Sequence, residues 1–108
     1  MELNKNLYKI EFTNECISEM LEIYEYISYT LKEPEAASRI IQQFINKVSI
    51  LATSPELYIK TNFFDRLKRN YHRLIIKNYI LLYSIDYEQK TIFISHIVYN
   101  RRQFFNSL

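Results

Sequence analysis

The amino-acid sequence predicts an α+β domain: an N-terminal strand, an antiparallel helical hairpin, a three-stranded antiparallel meander, and a short C-terminal helix or tail. Three observations carry this. Apolar residues alternate with polar ones in "LYKIEF", recur every three or four residues from Ile17 to Leu51, and return to alternation from Tyr71 onward. With 108 residues the chain is sized for a single domain spanning 1–108, and its 48% hydrophobic and 24% charged content is that of a folding sequence.

In the first strand Tyr8, Ile10 and Phe12 share one face and Leu7, Lys9 and Glu11 the other. Thr13 or Asn14 then caps a helix whose stripe reads Ile17, Met20, Leu21, Tyr24, Ile27 and Leu31, with Glu15, Glu19, Glu22 and Glu25 on the opposite side. Pro34 suits the first turn of a second helix, which would bury Ala37, Ile40, Ile41, Phe44, Ile45, Val48 and Leu51 before "TSPEL" stops it. The short link between the two predicts a hairpin. Three strands follow, "YHRLII", "YILLYSID" and "TIFISHIVY", separated by "KN" and "YEQK" at the positions of hairpin turns. There is no glycine, so a left-handed turn residue must come from elsewhere, and Asn78 is the expected one.

Composition excludes several functions. Without glycine there is no glycine-cradled phosphate loop. Apolar runs of the "YILLY" kind are too short to span a membrane, and the N-terminus has no long apolar region of a signal peptide, so a cytoplasmic protein without membrane association is expected. Cys16 is the one cysteine, next to the predicted buried stripe, and reads as a small core residue. His72 and His96 sit on different strands, and neither shares metal-ligand spacing with Cys16, so no metal and no small-molecule cofactor are expected. No local motif supports a nucleophilic triad.

Charge is more informative. Residues 1–59 carry five basic and nine acidic residues, whereas 60–108 carry nine basic and three acidic. Such a split suits a second half that meets a polyanion or an acidic partner. Arg66, Lys68 and Arg69 precede the first meander strand, Arg73 lies on it, Lys77 is in the following turn, and Arg101 and Arg102 follow the last strand. If the strands form a meander, these cations gather around one side and end of the sheet, where guanidinium forks fit phosphate. Tyr99, Phe104 or Phe105 would add stacking surface, although the two phenylalanines also suit a tail pinned to the core. His72 and Arg73, as strand neighbours, point to opposite faces.

The element order, together with "YHRLIIKNYILLYSID" and "TIFISHIVYNRRQFFNSL", resembles the RelE/ParE superfamily of toxins from bacterial type II toxin-antitoxin modules. The likeness runs from "YKIEFTNECISEMLEIYEYI" to the final leucine. Many members have "GRRD" where this chain has "NRRQ", so Asn100 replaces a glycine and Gln103 a carboxylate. The resemblance implies a cytoplasmic toxin neutralised by a small cognate antitoxin that covers its basic surface.

Two targets are open on that resemblance. RelE-like members cleave mRNA on the ribosome, holding phosphate with arginines and lysines; ParE-like members poison DNA gyrase. Arg101 matches the phosphate-contacting arginine of the nucleases, and Arg102 the arginine of the ParE-like pair. A further nuclease arginine would directly follow Tyr79, where this chain has Ile80, and the nuclease tyrosine would fall near Ser107. Loss of such an arginine costs several kcal/mol of transition-state stabilisation, roughly that of an oxyanion-hole donor. A ParE-like toxin is therefore expected, with Lys68, Arg69, Arg73, Lys77, Arg101 and Arg102 meeting target or antitoxin. In the enzyme alternative, a metal-independent endoribonuclease, Arg101 and Arg73 hold the phosphate and His96 or Tyr99 serves as acid or base. A degenerate member that only binds its antitoxin is the third possibility.

Overall fold

The structure, a computed structural model, describes residues 7–58, 60–64 and 70–99. Its order is β1 (Lys9–Phe12), α1 (Asn14–Glu25), a π-turn (Tyr26–Thr30), α2 (Pro34–Ser49), a 3-10 turn (Ile50–Ala52), then β2 (Lys60–Phe64), β3 (Asn70–Ile76), β4 (Tyr79–Asp86) and β5 (Thr91–Tyr99). The strands form one sheet in the order β1-β5-β4-β3-β2, with β1 parallel to β5 and every other pair antiparallel. The expected meander is present. It gains a fourth strand, β2, which pairs irregularly with β3 between Lys60↔His72 and Phe64↔Asn70.

Thr13 starts α1 by accepting the Cys16 N–H at 3.1 Å, and its own hydroxyl donates to the Ser95 carbonyl at 3.0 Å. One side chain thus caps the helix and ties it to β5. The cap also sets which face turns inward. Cys16 is fully buried, with Met20, Ile23 and Ile27 behind it, while Ile17 and Leu21 are 52% and 55% exposed. The predicted stripe of α1 is therefore right at Met20 and Ile27 but off-centre: Cys16 and Ile23 join them, while Ile17 and Leu21, each about 100° around the helix from Cys16 and Met20, face outward. In α2, Ala37, Ile40, Phe44 and Val48 are buried as expected, Ile41 is partly covered, and Ile45 remains exposed.

The helices cover one face of the sheet, against Leu74, Ile76, Leu81, Tyr83, Ile92, Ile94 and Ile97. Cys16 and Phe44 belong to the same cluster, so its thiol is desolvated and pushed up to about 12, the nearby Glu19 charge adding to the shift. His72 lies on this side too. It stacks on Tyr83 with ring centroids 5.0 Å apart, and its Nδ1 lies 2.7 Å from the Tyr58 carbonyl, so it is a core histidine.

The left-handed positions differ from expectation. Lys32, Lys77 and Lys90 adopt φ of 57°, 52° and 50°, and Asn78 does not have positive φ. In the two-residue β3–β4 turn the first position carries the strained backbone, and it is a lysine.

Candidate functional site

A bulge decides what the helix-free face of the sheet presents. Tyr83 pairs with Ile94 and Leu82 with His96, so Ser95 has no counterpart on β4. The extra residue reverses the alternation, which is what such bulges do beside binding surfaces. Before it Ile92 and Ile94 face the helices; after it Ile97 does, and His96 turns to the other side.

There His96 completes a row across three strands, because Arg73 pairs with Leu82 and Leu82 with His96. Two strand spacings put the outer members about 10 Å apart. Tyr71, 4% exposed, reaches the same neighbourhood, its ring edge-on to the His96 ring with centroids 6.2 Å apart. At the edge of β5, Glu19 of α1 accepts the Ile97 N–H through Oε1 at 3.0 Å, while Oε2 lies 3.4 Å from His96 Nδ1. The carboxylate orients the imidazole, and Nε2 has no hydrogen-bond partner among the described residues. A partly exposed imidazole backed by a carboxylate, with Arg73 in the same row two strands away, can bind phosphate and move a proton.

The other predicted residues distribute as follows. Tyr99 is on the helix side, edge-on to Tyr79 with centroids 5.6 Å apart, so it does not share a face with His96. Lys77 occupies the β3–β4 turn, whereas Asn70 begins β3 at its opposite end. Lys68, Arg69, Arg101 and Arg102, like Arg66, Phe104 and Phe105, lie outside the described residues. Arg73 and His96 are therefore the predicted pair that the sheet brings together. Ile80 lies one position along the same face, 2% exposed. Glu19 escaped the sequence reading, since it counted only as one of several carboxylates on the outer side of a helix, 77 residues from its histidine.

Beside the Tyr99 end of the sheet a groove of about 850 Å³ opens between the π-turn and the strands. Ile23, Ile27 and Leu31 form one wall, and Tyr79, Ile97 and Tyr99 the other. Among the described residues no group of three or more His, Cys, Asp or Glu could hold a metal ion, and no helix is long and apolar enough to cross a membrane.

Comparison with known proteins bears on the fold and the family. No curated protein sequence matches the chain. Among solved structures, the chromosomal ParDE TA system from P. aeruginosa is similar at a TM-score of 0.71 and 15% identity, covering 89% of this chain and 99% of that one. The intact E. coli RelBE toxin-antitoxin complex is similar at 0.59 and 15%, covering 88% and 99%. The RelBE2 complex from Mycobacterium tuberculosis is similar at 0.56 and 17%, covering 86% and 98%. At these identities the likeness establishes the fold. The family model for the ParE toxin of type II toxin-antitoxin system, parDE, matches residues 10–104, nearly the whole length. The chain therefore belongs to the ParE toxin family of type II toxin-antitoxin systems.

Proposed function

We propose that this toxin arrests growth by poisoning DNA gyrase, and that a cognate small antitoxin neutralises it. The observation that carries the reading is Ile80. It is 2% exposed on the face that holds Arg73 and His96, at the position where a RelE-like nuclease would place a further arginine. An isoleucine sealed there supplies no charge to a pentavalent phosphate, and a phosphate between Arg73 and His96 would lack that neighbour. Tyr99, the other candidate acid or base, belongs to the opposite face. Arg73 remains a cation suited to binding without chemistry, joined in this reading by Lys68, Arg69, Lys77, Arg101 and Arg102. Solved relatives that are toxin-antitoxin complexes support an antitoxin as partner.

The purified protein is expected to inhibit gyrase supercoiling and to leave ribosome-bound mRNA intact. Arg73→Ala should weaken the inhibition about tenfold or more while the far-UV spectrum stays unchanged, since a charged contact to a polyanion or acidic surface contributes roughly 1–3 kcal/mol. Cleavage of mRNA on ribosomes with gyrase unaffected would overturn the proposal.

One observation favours a ribonuclease as the second reading: Glu19 holds His96 by Nδ1 and leaves Nε2 without a partner among the described residues. In that case His96→Ala abolishes mRNA cleavage. The degenerate reading predicts no growth arrest on induced expression at all.

A further inference from the structure

We propose that the groove beside the π-turn docks a basic, apolar segment of a partner protein, with an arginine or lysine head seated among Tyr26, Tyr79 and Tyr99. Among the described residues the rim of this groove is acidic apart from Lys77, and the inference is independent of which target the toxin has.

The groove has the form of a site rather than a crevice. Its volume of about 850 Å³ is enough for several side chains. Tyr26, Leu31 and Tyr99 line it at 55%, 51% and 51% exposure, so large apolar surface is left uncovered in one place. Scattered apolar residues need no explanation, but a contiguous apolar cleft marks an interaction surface. The π-turn Tyr26–Thr30 creates it: the widened turn follows α1 directly, and Tyr26 and Ile27 both line the cleft. Such irregular turns recur at functional positions.

The charge around the groove selects the partner. Among the described residues, Glu19, Glu22 and Glu33 line it against a single lysine, Lys77. Glu19 is already engaged with Ile97 and His96, whereas the carboxylates of Glu22 and Glu33 have no ion-pair or hydrogen-bond partner among the described residues. Three phenols lie together here. Tyr79 is edge-on to Tyr99, and its hydroxyl is pushed up by burial first and then by the neighbouring Tyr99 and Tyr26. Aromatic faces present negative potential to a cation, and carboxylates beside them add to it. A nucleic acid or an acidic peptide would meet repulsion at this groove, while an arginine flanked by leucine or isoleucine satisfies both the rim and the apolar walls.

The test uses the purified protein and three synthetic peptides of about ten residues that alternate leucine with arginine, glutamate or serine. Binding is followed by backbone amide shifts. The arginine peptide should move the amides of Tyr26 to Leu31 and of Ile97 to Tyr99, with affinity that falls as salt rises. Glu22→Gln combined with Glu33→Gln should weaken it about three- to tenfold, as expected for two partly exposed charge pairs. Glu88→Gln, in the turn at the other end of β4, should change nothing. Equal binding of the serine or glutamate peptide, shifts confined to other surfaces, or no binding of the arginine peptide would overturn the proposal. So would a concentration-dependent dimer that shifts the same amides and that no peptide displaces, since the occupant would then be a second copy of the chain.

Discussion

The carboxylate of Glu19 stands where a further residue of β1 would have accepted the Ile97 N–H, because β1 ends at Phe12 while β5 runs on to Tyr99. An amide left unpaired in a partly buried position costs about 1–3 kcal/mol. Glu19→Ala should therefore lower unfolding free energy by roughly that amount, whereas Glu19→Gln, which keeps an accepting oxygen, should cost about 1 kcal/mol or less. Chemical denaturation distinguishes the two. The same pair separates the roles of the carboxylate, since glutamine keeps an oxygen for the Ile97 N–H but removes the charge that faces His96. Equal destabilisation by both variants would show that charge, not hydrogen bonding, holds the β5 edge.

At the scale of elements, Thr13 joins what sequence patterns describe separately. Its hydroxyl caps α1 and reaches Ser95 in the bulge of β5, so helix phase and strand register are set at one point. Thr13→Ala removes both bonds and is expected to cost about 1–2 kcal/mol, read as a lowered denaturation midpoint; Thr13→Ser should recover most of it. The turns invite a change in the other direction. Lys90 holds φ of 50° in the β4–β5 turn, where the Asp86 carboxylate accepts the Gln89 N–H. A left-handed conformation costs a β-carbon-bearing residue about 1 kcal/mol, so Lys90→Gly should raise stability by roughly 0.5–1 kcal/mol in the same measurement. Asn78 failed as the expected left-handed residue because the first position of its turn, Lys77, took the strained dihedral instead. Composition indicates that some residue must do this; the sheet's twist chooses which.

For the whole molecule, the buried thiol and phenol link stability to pH. Cys16 is pushed from 9.0 to about 12 chiefly by burial, and Tyr83 from 10.0 to about 12, also by burial, with its hydroxyl donating to the Pro55 carbonyl. Both groups are raised on folding, so the neutral form is the one the fold accommodates. Their contribution is complete below the unfolded values and is lost as pH climbs from about 9 toward 12. Unfolding free energy is expected to fall by on the order of 1–2 kcal/mol between pH 8 and about 10.5 from Cys16 alone. Cys16→Ala should flatten this slope even though it is less stable at neutral pH. A wild-type curve that is level across that range would contradict the burial of both groups. Legibility also divides at this scale. β1 and α2 were readable because their apolar residues keep one period, and β3, β4 and β5 because runs rich in Ile, Leu and Tyr stand between turn signals, although the bulge at Ser95 breaks the alternation in β5. The short edge strand β2 was not, since "KTNFF" acquires its conformation only by pairing with β3. Of the candidate site, Arg73 and His96 were visible as residue types, but their shared face depends on one unpaired serine.

By itself the sequence determined the α+β class, the order of strands and helices apart from β2, the polarity of charge and the family likeness, because each is written in local periodicity and composition. Only the tertiary structure decided that α1 turns Ile17 and Leu21 outward, that β1 lies parallel beside β5, and that Glu19 reaches His96. Those outcomes depend on contacts between residues far apart in the chain, and two stripes one residue apart on a helix are equally periodic until something packs against one of them.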